Sequence, residues 1–160
     1  MDPIQIALII LIFLIVAMNV AASSRGKRKR KRDTVKYASA LTVLVKNESK
    51  LGGEGGYAFS RFIAENGDNY LVCRSSSNGS KAIVSEKDFV YYKDGSALEC
   101  ELCCDEDGKG KITSIFCRVS SKGKGKKTVV AFSSKPHPEK SAKAKLLIRI
   151  AEDFRMEIMK

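Results

Sequence analysis

The stretch Ile4 to Ala22, IQIALIILIFLIVAMNVAA, constrains this chain most, because nineteen residues pass without a single charge. At about 1.5 Å per helical residue such a run reaches roughly 28 Å, the thickness of a bilayer's hydrocarbon core. Gln5 and Asn19 are its only polar side chains. Backbone groups in lipid must be satisfied within their own segment, so a transmembrane helix is expected despite the many β-branched Ile and Val residues. A cleaved signal peptide is the rival reading, with Val20 and Ala22 near a cleavage site. Against it, Met1-Asp2-Pro3 offers an acid and no base, and the run exceeds the usual apolar core of a signal peptide.

Arg25, Lys27, Arg28, Lys29, Arg30, Lys31 and Arg32 follow at once, seven bases in eight residues. The positive-inside rule then puts the N-terminus outside and everything after residue 25 in the cytoplasm, so a single-pass plasma-membrane protein is expected. The seven bases are expected to lie on anionic lipid headgroups, each contributing on the order of 1 kcal/mol near the surface. A nuclear-localisation or nucleic-acid patch is the alternative for such a run. The chain thus divides into an anchor, 1–24, a polybasic juxtamembrane segment, 25–32, and a soluble domain, 33–160. Of the net charge of +11, the basic run holds +7 and the remainder from Asp33 onward +5, offset by Asp2. The soluble domain is therefore only mildly basic, which weakens any nucleic-acid inference.

From Thr34 onward short β-rich runs alternate with glycine turns. Thr34 to Lys46 reads as a strand, with Val35, Tyr37, Leu41, Val43 and Val45 on one parity. Asn47 to Gly56 is a polar, glycine-rich loop without the Lys-Ser/Thr ending of a phosphate loop. Asn66-Gly67, Asn78-Gly79, Asp94-Gly95 and Asp107-Gly108 each separate two such runs, and Gly123 with Gly125 separates the next pair. Asn-Gly and Asp-Gly mark hairpins because both central residues of a type I′ turn need positive φ. An antiparallel meander closing into a small barrel or sandwich is expected. In Ala144 to Lys160 the even positions Leu146, Ile148, Ile150, Phe154, Met156 and Ile158 favour a strand. A short C-terminal helix with Leu147, Ile150, Ala151, Phe154 and Ile158 on one face is the runner-up. The fold expected is one transmembrane helix followed by an all-β domain.

Five cysteines are present, and Cys100 and Cys103 have C-x-x-C spacing. That spacing suits zinc or a redox pair, but a second C-x-x-C is missing, and Cys73, Cys117 and His137 would have to complete the ligand set singly. In a strand, Leu98, Cys100, Leu102 and Cys104 share one face and Cys103 takes the other. Cys100 and Cys104 are then expected as small core residues, with Cys103 held as a thiol by Glu101 and Asp105. No cofactor is expected. Lys122 to Lys145 contains eight lysines against Glu139, a basic face for nucleic acid or lipid, or a solvated hairpin. Tyr57, Phe59, Phe62, Phe89, Tyr91 and Tyr92 are either core residues or a base-stacking platform. His137 lies between Pro136 and Pro138 with no adjacent nucleophile, and no enzyme is expected.

Leu41-Thr42-Val43-Leu44-Val45, Tyr57-Ala58-Phe59, Gly67 followed by Tyr70-Leu71-Val72, and Phe89 ahead of Gly95 span about half the chain, from Ala40 to Val119. In this layout the chain resembles small bacterial single-pass membrane proteins of unknown function. The resemblance implies a compact cytoplasmic β domain and transfers no site residues. The expectation is a binding module at the membrane surface, with anionic headgroups or a protein as partner. A nucleic-acid-binding protein and a thiol or zinc sensor are the alternatives.

Overall fold

Between Lys27 and Leu51 there is neither glycine nor proline, and the chain there is not a strand. In the computed structural model α1 runs from Pro3 to Leu51 as one helix and stops at Gly52, whose N–H reaches the Glu48 carbonyl at 2.7 Å. The structure describes the backbone of residues 3–52 and 56–160, and the side chains of these residues apart from 3–25 and 124–126. The chain falls into two compact units, divided between Val35 and Lys36. The first is the N-terminal part of α1, on which Lys27 to Arg32 are exposed; the side chain of Arg25 lies outside the described residues.

Among the described residues no helix is long and apolar enough to cross a membrane. That finding overturns the single-pass anchor and the plasma-membrane placement; nothing in the structure bears on the headgroup role expected of the seven bases. The side chains of residues 4–22, on which the expectation stood, lie outside the described residues.

The second unit opens with the end of α1. Ala40, Leu44 and Leu51 are buried there, flanked by Tyr37, Leu41 and Val43, a helical spacing. Val35 and Val45, which the strand reading turned inward, are 58% and 59% exposed. The polar side chains of this helix bond to its own backbone: the Thr42 hydroxyl donates to the Ala38 carbonyl, and the Asn47 amide to that of Val43, both at 2.9 Å.

Next come β1 (Tyr57–Ile63), β2 (Asn69–Ser75), β3 (Lys81–Val84) and β4 (Phe89–Tyr92), an antiparallel meander in sequence order. One 3-10 turn, Gly95–Ala97, leads to a second antiparallel sheet, β5 (Leu98–Glu106), β6 (Lys111–Ser121) and β7 (Lys124–Ser133). The short β8 (His137–Pro138) pairs with β6, and α2 (Ala142–Met159) ends the chain, its first turn capped by Ser141. Gly67, Gly79, Gly108 and Gly123 have positive φ, but among the described residues no non-glycine does, so the Asn-Gly and Asp-Gly turns are not the expected type I′. The fold is mixed α/β rather than all-β.

The middle of the first sheet, β2 and β3, is buried on both faces. Leu71, Cys73, Ala82 and Val84 pack under α1, whereas Val72, Ile83 and Tyr92 join the second sheet and α2 in the larger core. All four residues of β3 are buried for this reason. α2 presents Ala144, Leu147, Ala151, Phe154 and Ile158 to that core, and Leu146 and Met156 are about half exposed. The helical runner-up for 144–160 is therefore correct and the strand reading is not. At a bulge in β7, Phe132 is the extra residue between Ala131 and Ser133. Its ring meets Tyr70 from the first sheet at 5.9 Å and Phe154 from α2 at 5.4 Å, and Phe62 completes the aromatic set.

Candidate functional site

Where the two sheets join, a cleft of about 760 Å³ opens. Its walls are the β2–β3 turn at Asn78 and Gly79, the end of β4 from Tyr91 to Asp94, the 3-10 turn with Ser96 and Ala97, and the β6–β7 turn at Ser121 and Lys122. Each wall has a local cause. Asn78 folds its side-chain oxygen onto the Ser80 N–H at 3.0 Å. Asp94 caps the 3-10 turn, accepting from the Ser96 N–H at 3.0 Å and the Ser96 hydroxyl at 2.6 Å. These bonds hold the Asp94 carboxyl below its usual range.

Backbone bonds tie the walls together. The Gly95 N–H donates to the Gly79 carbonyl at 3.1 Å, and the Lys122 N–H to the Ala97 carbonyl at 2.8 Å. Tyr92 reaches across to the second sheet, donating to the Thr128 hydroxyl at 2.8 Å. A Cβ on Gly95 would stand 2.4 Å from the Gly79 carbonyl oxygen and 2.7 Å from Lys81 Cγ. Asp94-Gly95 is therefore a crossover between sheets, chosen for space, rather than the expected hairpin. Lys93 and Lys122 are exposed at the rim, and Asp94, the acid in the wall among the described residues, is engaged by Ser96. The lining residues carry two lysines against one carboxylate, a net positive charge.

Lys81, beside Gly95, serves the fold. It is buried, and its ammonium donates to the Ile158 carbonyl at the end of α2, at 2.6 Å. Burial first, then the Arg74 charge, pushes this lysine below its ordinary range, with Glu157 opposing them. A cation on the last carbonyls suits the negative end of the helix.

His137 does have an acid and a hydroxyl beside it, brought from far apart in the chain. His137 Nε2 lies 2.8 Å from Glu65 Oε2 and 3.2 Å from Ser133 Oγ, and Ser133 donates to Glu65 at 2.6 Å. A hydrolytic triad needs the acid on Nδ1 and the serine on Nε2. Here both meet Nε2, and the hydroxyl gives its proton to the carboxylate directly. The adjoining cavity, about 70 Å³, has room for about two waters by their share of liquid volume. The cluster joins the sheets: the Glu65 N–H donates to the Phe132 carbonyl at 2.9 Å. Burial raises the Glu65 carboxyl, but the bonds from Ser133 and His137 and the charges of His137 and Lys143 outweigh it, leaving it below its ordinary value. Ser133 is four residues from His137, a signal open to sequence inspection; Glu65 gives none.

The C-x-x-C pair is split by strand alternation. Cys100 is buried on the inner face, whereas Cys103 stands opposite Phe116 on the outer one. Cys104, expected in the core, is exposed near the end of β5. The thiol that meets Cys100 is Cys117 of β6, which also lies 3.3 Å from the Ala151 carbonyl of α2. Burial pushes the Cys73 thiol up to about 12. Among the described residues no three His, Cys, Asp or Glu side chains are grouped to hold a metal ion.

The expected basic face is spread along β7 and beyond it, and the side chains of Lys124 and Lys126 within it lie outside the described residues. Lys122 precedes β7 and Lys135 follows it, and ten residues of strand separate them by roughly 30 Å. The aromatics do not form one platform. Phe62 and Tyr92 enter the larger core, Tyr57, Phe89 and Tyr91 border the α1 side, and Phe59 is exposed. Comparison with protein-family models, curated proteins and solved structures finds no match, so no relative bears on the resemblance to single-pass membrane proteins.

Proposed function

We propose that the 36–160 unit is a non-catalytic binding module whose ligand is a nucleotide unit, free or within a single strand, seated in the cleft between β4 and the β6–β7 turn. The observation that carries this reading is a cleft of ligand size, about 760 Å³, with two exposed lysines at its rim, Tyr91 in its wall and a single acid among its lining residues, Asp94, engaged in capping the 3-10 turn. Lysines provide for phosphate, the aromatic wall for a base, and Ser96 and Ser121 for sugar hydroxyls. The backbone ties at Gly79 and Ala97 favour a preformed site, which lowers the entropic cost of binding. The geometry at Nε2 of His137 favours a structural rather than a hydrolytic role for the acid–base cluster.

Titration calorimetry of the full chain with adenosine monophosphate and with a short oligothymidylate, each at two salt concentrations, tests the reading. Binding should weaken with salt. The double variant Lys93→Ala/Lys122→Ala should lose at least about tenfold in affinity, roughly 1.4 kcal/mol. Response to the mononucleotide alone, or to the strand alone, separates the two sources of the same chemistry. No binding of either at low salt, or binding indifferent to the double variant, rejects the cleft.

A further inference from the structure

We propose that Cys100 and Cys117 form a peroxide-responsive dithiol, Cys100 the attacking thiol and Cys117 its resolving partner. Cys100 pairs with Val119 and Cys117 with Leu102, so the two are diagonal neighbours on the inner face of β5 and β6. Position separates their roles. β5 is an edge strand, and Cys100 keeps 9% of its surface; β6 is central, and Cys117 keeps none.

The surroundings agree with that division. A hydrogen bond from Cys117 lowers the Cys100 thiol and the Arg155 charge on α2 helps, against burial and Glu152. The same contact, with burial, raises Cys117. Cys103 and Cys104 are better exposed, yet both are held up as thiols, first by burial; Glu101 then acts on Cys103, and Cys103 and Glu106 on Cys104. The thiolate is the reacting species, so exposure and reactivity are separated along β5.

The chemistry balances with hydrogen peroxide as the oxidant. The Cys100 thiolate attacks one peroxide oxygen, the S–O bond forms as O–O breaks, and hydroxide takes up the thiol's proton to leave as water. The Cys117 sulfur then attacks Cys100, S–S forms as S–O breaks, and a second water leaves with the Cys117 proton. Two thiols and one peroxide give a disulfide and two waters. Diagonal Cα atoms stand about 7–8 Å apart, and a disulfide accepts about 4.4–6.8 Å. Closure therefore draws β5 and β6 together and takes Cys117 off the Ala151 carbonyl, which loosens the middle of α2.

The test uses the full chain carrying Cys103→Ser and Cys104→Ser, treated with hydrogen peroxide while folded and read by alkylation and mass spectrometry. A Cys100–Cys117 linkage with loss of two hydrogens, reversed by dithiothreitol, is expected, together with faster amide exchange around Ala151. In the same background Cys117→Ala should stop at a sulfenic acid on Cys100, trapped by dimedone. Both thiols remaining alkylable in folded, treated protein overturns the proposal, as does a disulfide from Cys100 to Cys73. The linkage is read with both thiols intact, so the decision stands even if Cys117→Ala does not fold.

Discussion

Gly95 and Glu65 are two positions where one atom decides the local outcome. Gly95 is there because a methyl group would meet a backbone oxygen, which cannot move aside as a flexible side chain does. Gly95→Ala should cost about 1–3 kcal/mol, read as a lower urea midpoint. Glu65 has a carboxyl depressed in the folded state. Such a group stabilises the fold above its unfolded value, about 4.3, and that contribution is lost as pH falls through the folded value. Glu65→Gln should therefore cost about 1.5–3 kcal/mol at pH 7, and the gap to the unsubstituted protein should narrow as pH falls below about 4.3. Urea unfolding at a series of pH values checks both the size and the sign. A gap that stays constant as pH falls through the acid range would mean that shape, not charge, is what Glu65 supplies.

The two helices show how element identity is decided. In 34–46 the alternation of Val35, Tyr37, Leu41, Val43 and Val45 competes with a helical set at Tyr37, Ala40 and Leu44 that continues to Leu51. The helical set wins because it alone buries a continuous stripe, against the outer face of the first sheet. Lys36 ties the start of that stripe to the sheet, pairing with Asp68 and lying 3.6 Å from Glu86. Leu44→Ala should lower stability by about 2–4 kcal/mol, while Val45→Ala should change it by less than about 0.5. Equal effects from the two would restore the strand. In α2, Phe154→Ala should cost about 3–5 kcal/mol, since its ring touches both Phe62 and Phe132, and Leu146→Lys should be nearly silent. Thermal melts of the pair give the comparison directly.

Across the 36–160 unit, the layering was the part least open to reading. The hairpins at Gly67, Gly79 and Gly108 follow from residues next to one another, because positive φ is a property of the turn itself. The inward and outward sides of Cys100 and Cys103 follow from strand alternation, again a local rule. Whether an apolar run becomes a strand or a helix depended on which distant surface it covers, so 34–46 and 144–160 were decided only by packing against the sheets. The same holds for the sites. Glu65 meets His137, Cys117 meets Cys100, and Lys93 and Lys122 line one cleft because sheets and strands far apart in the chain are folded together. The amino-acid order by itself determined turns, strand faces and the charge of each stretch, all set within a few bonds. Only the tertiary structure decided the layers and the clusters, because burial is a relation between surfaces and no segment carries its own partner.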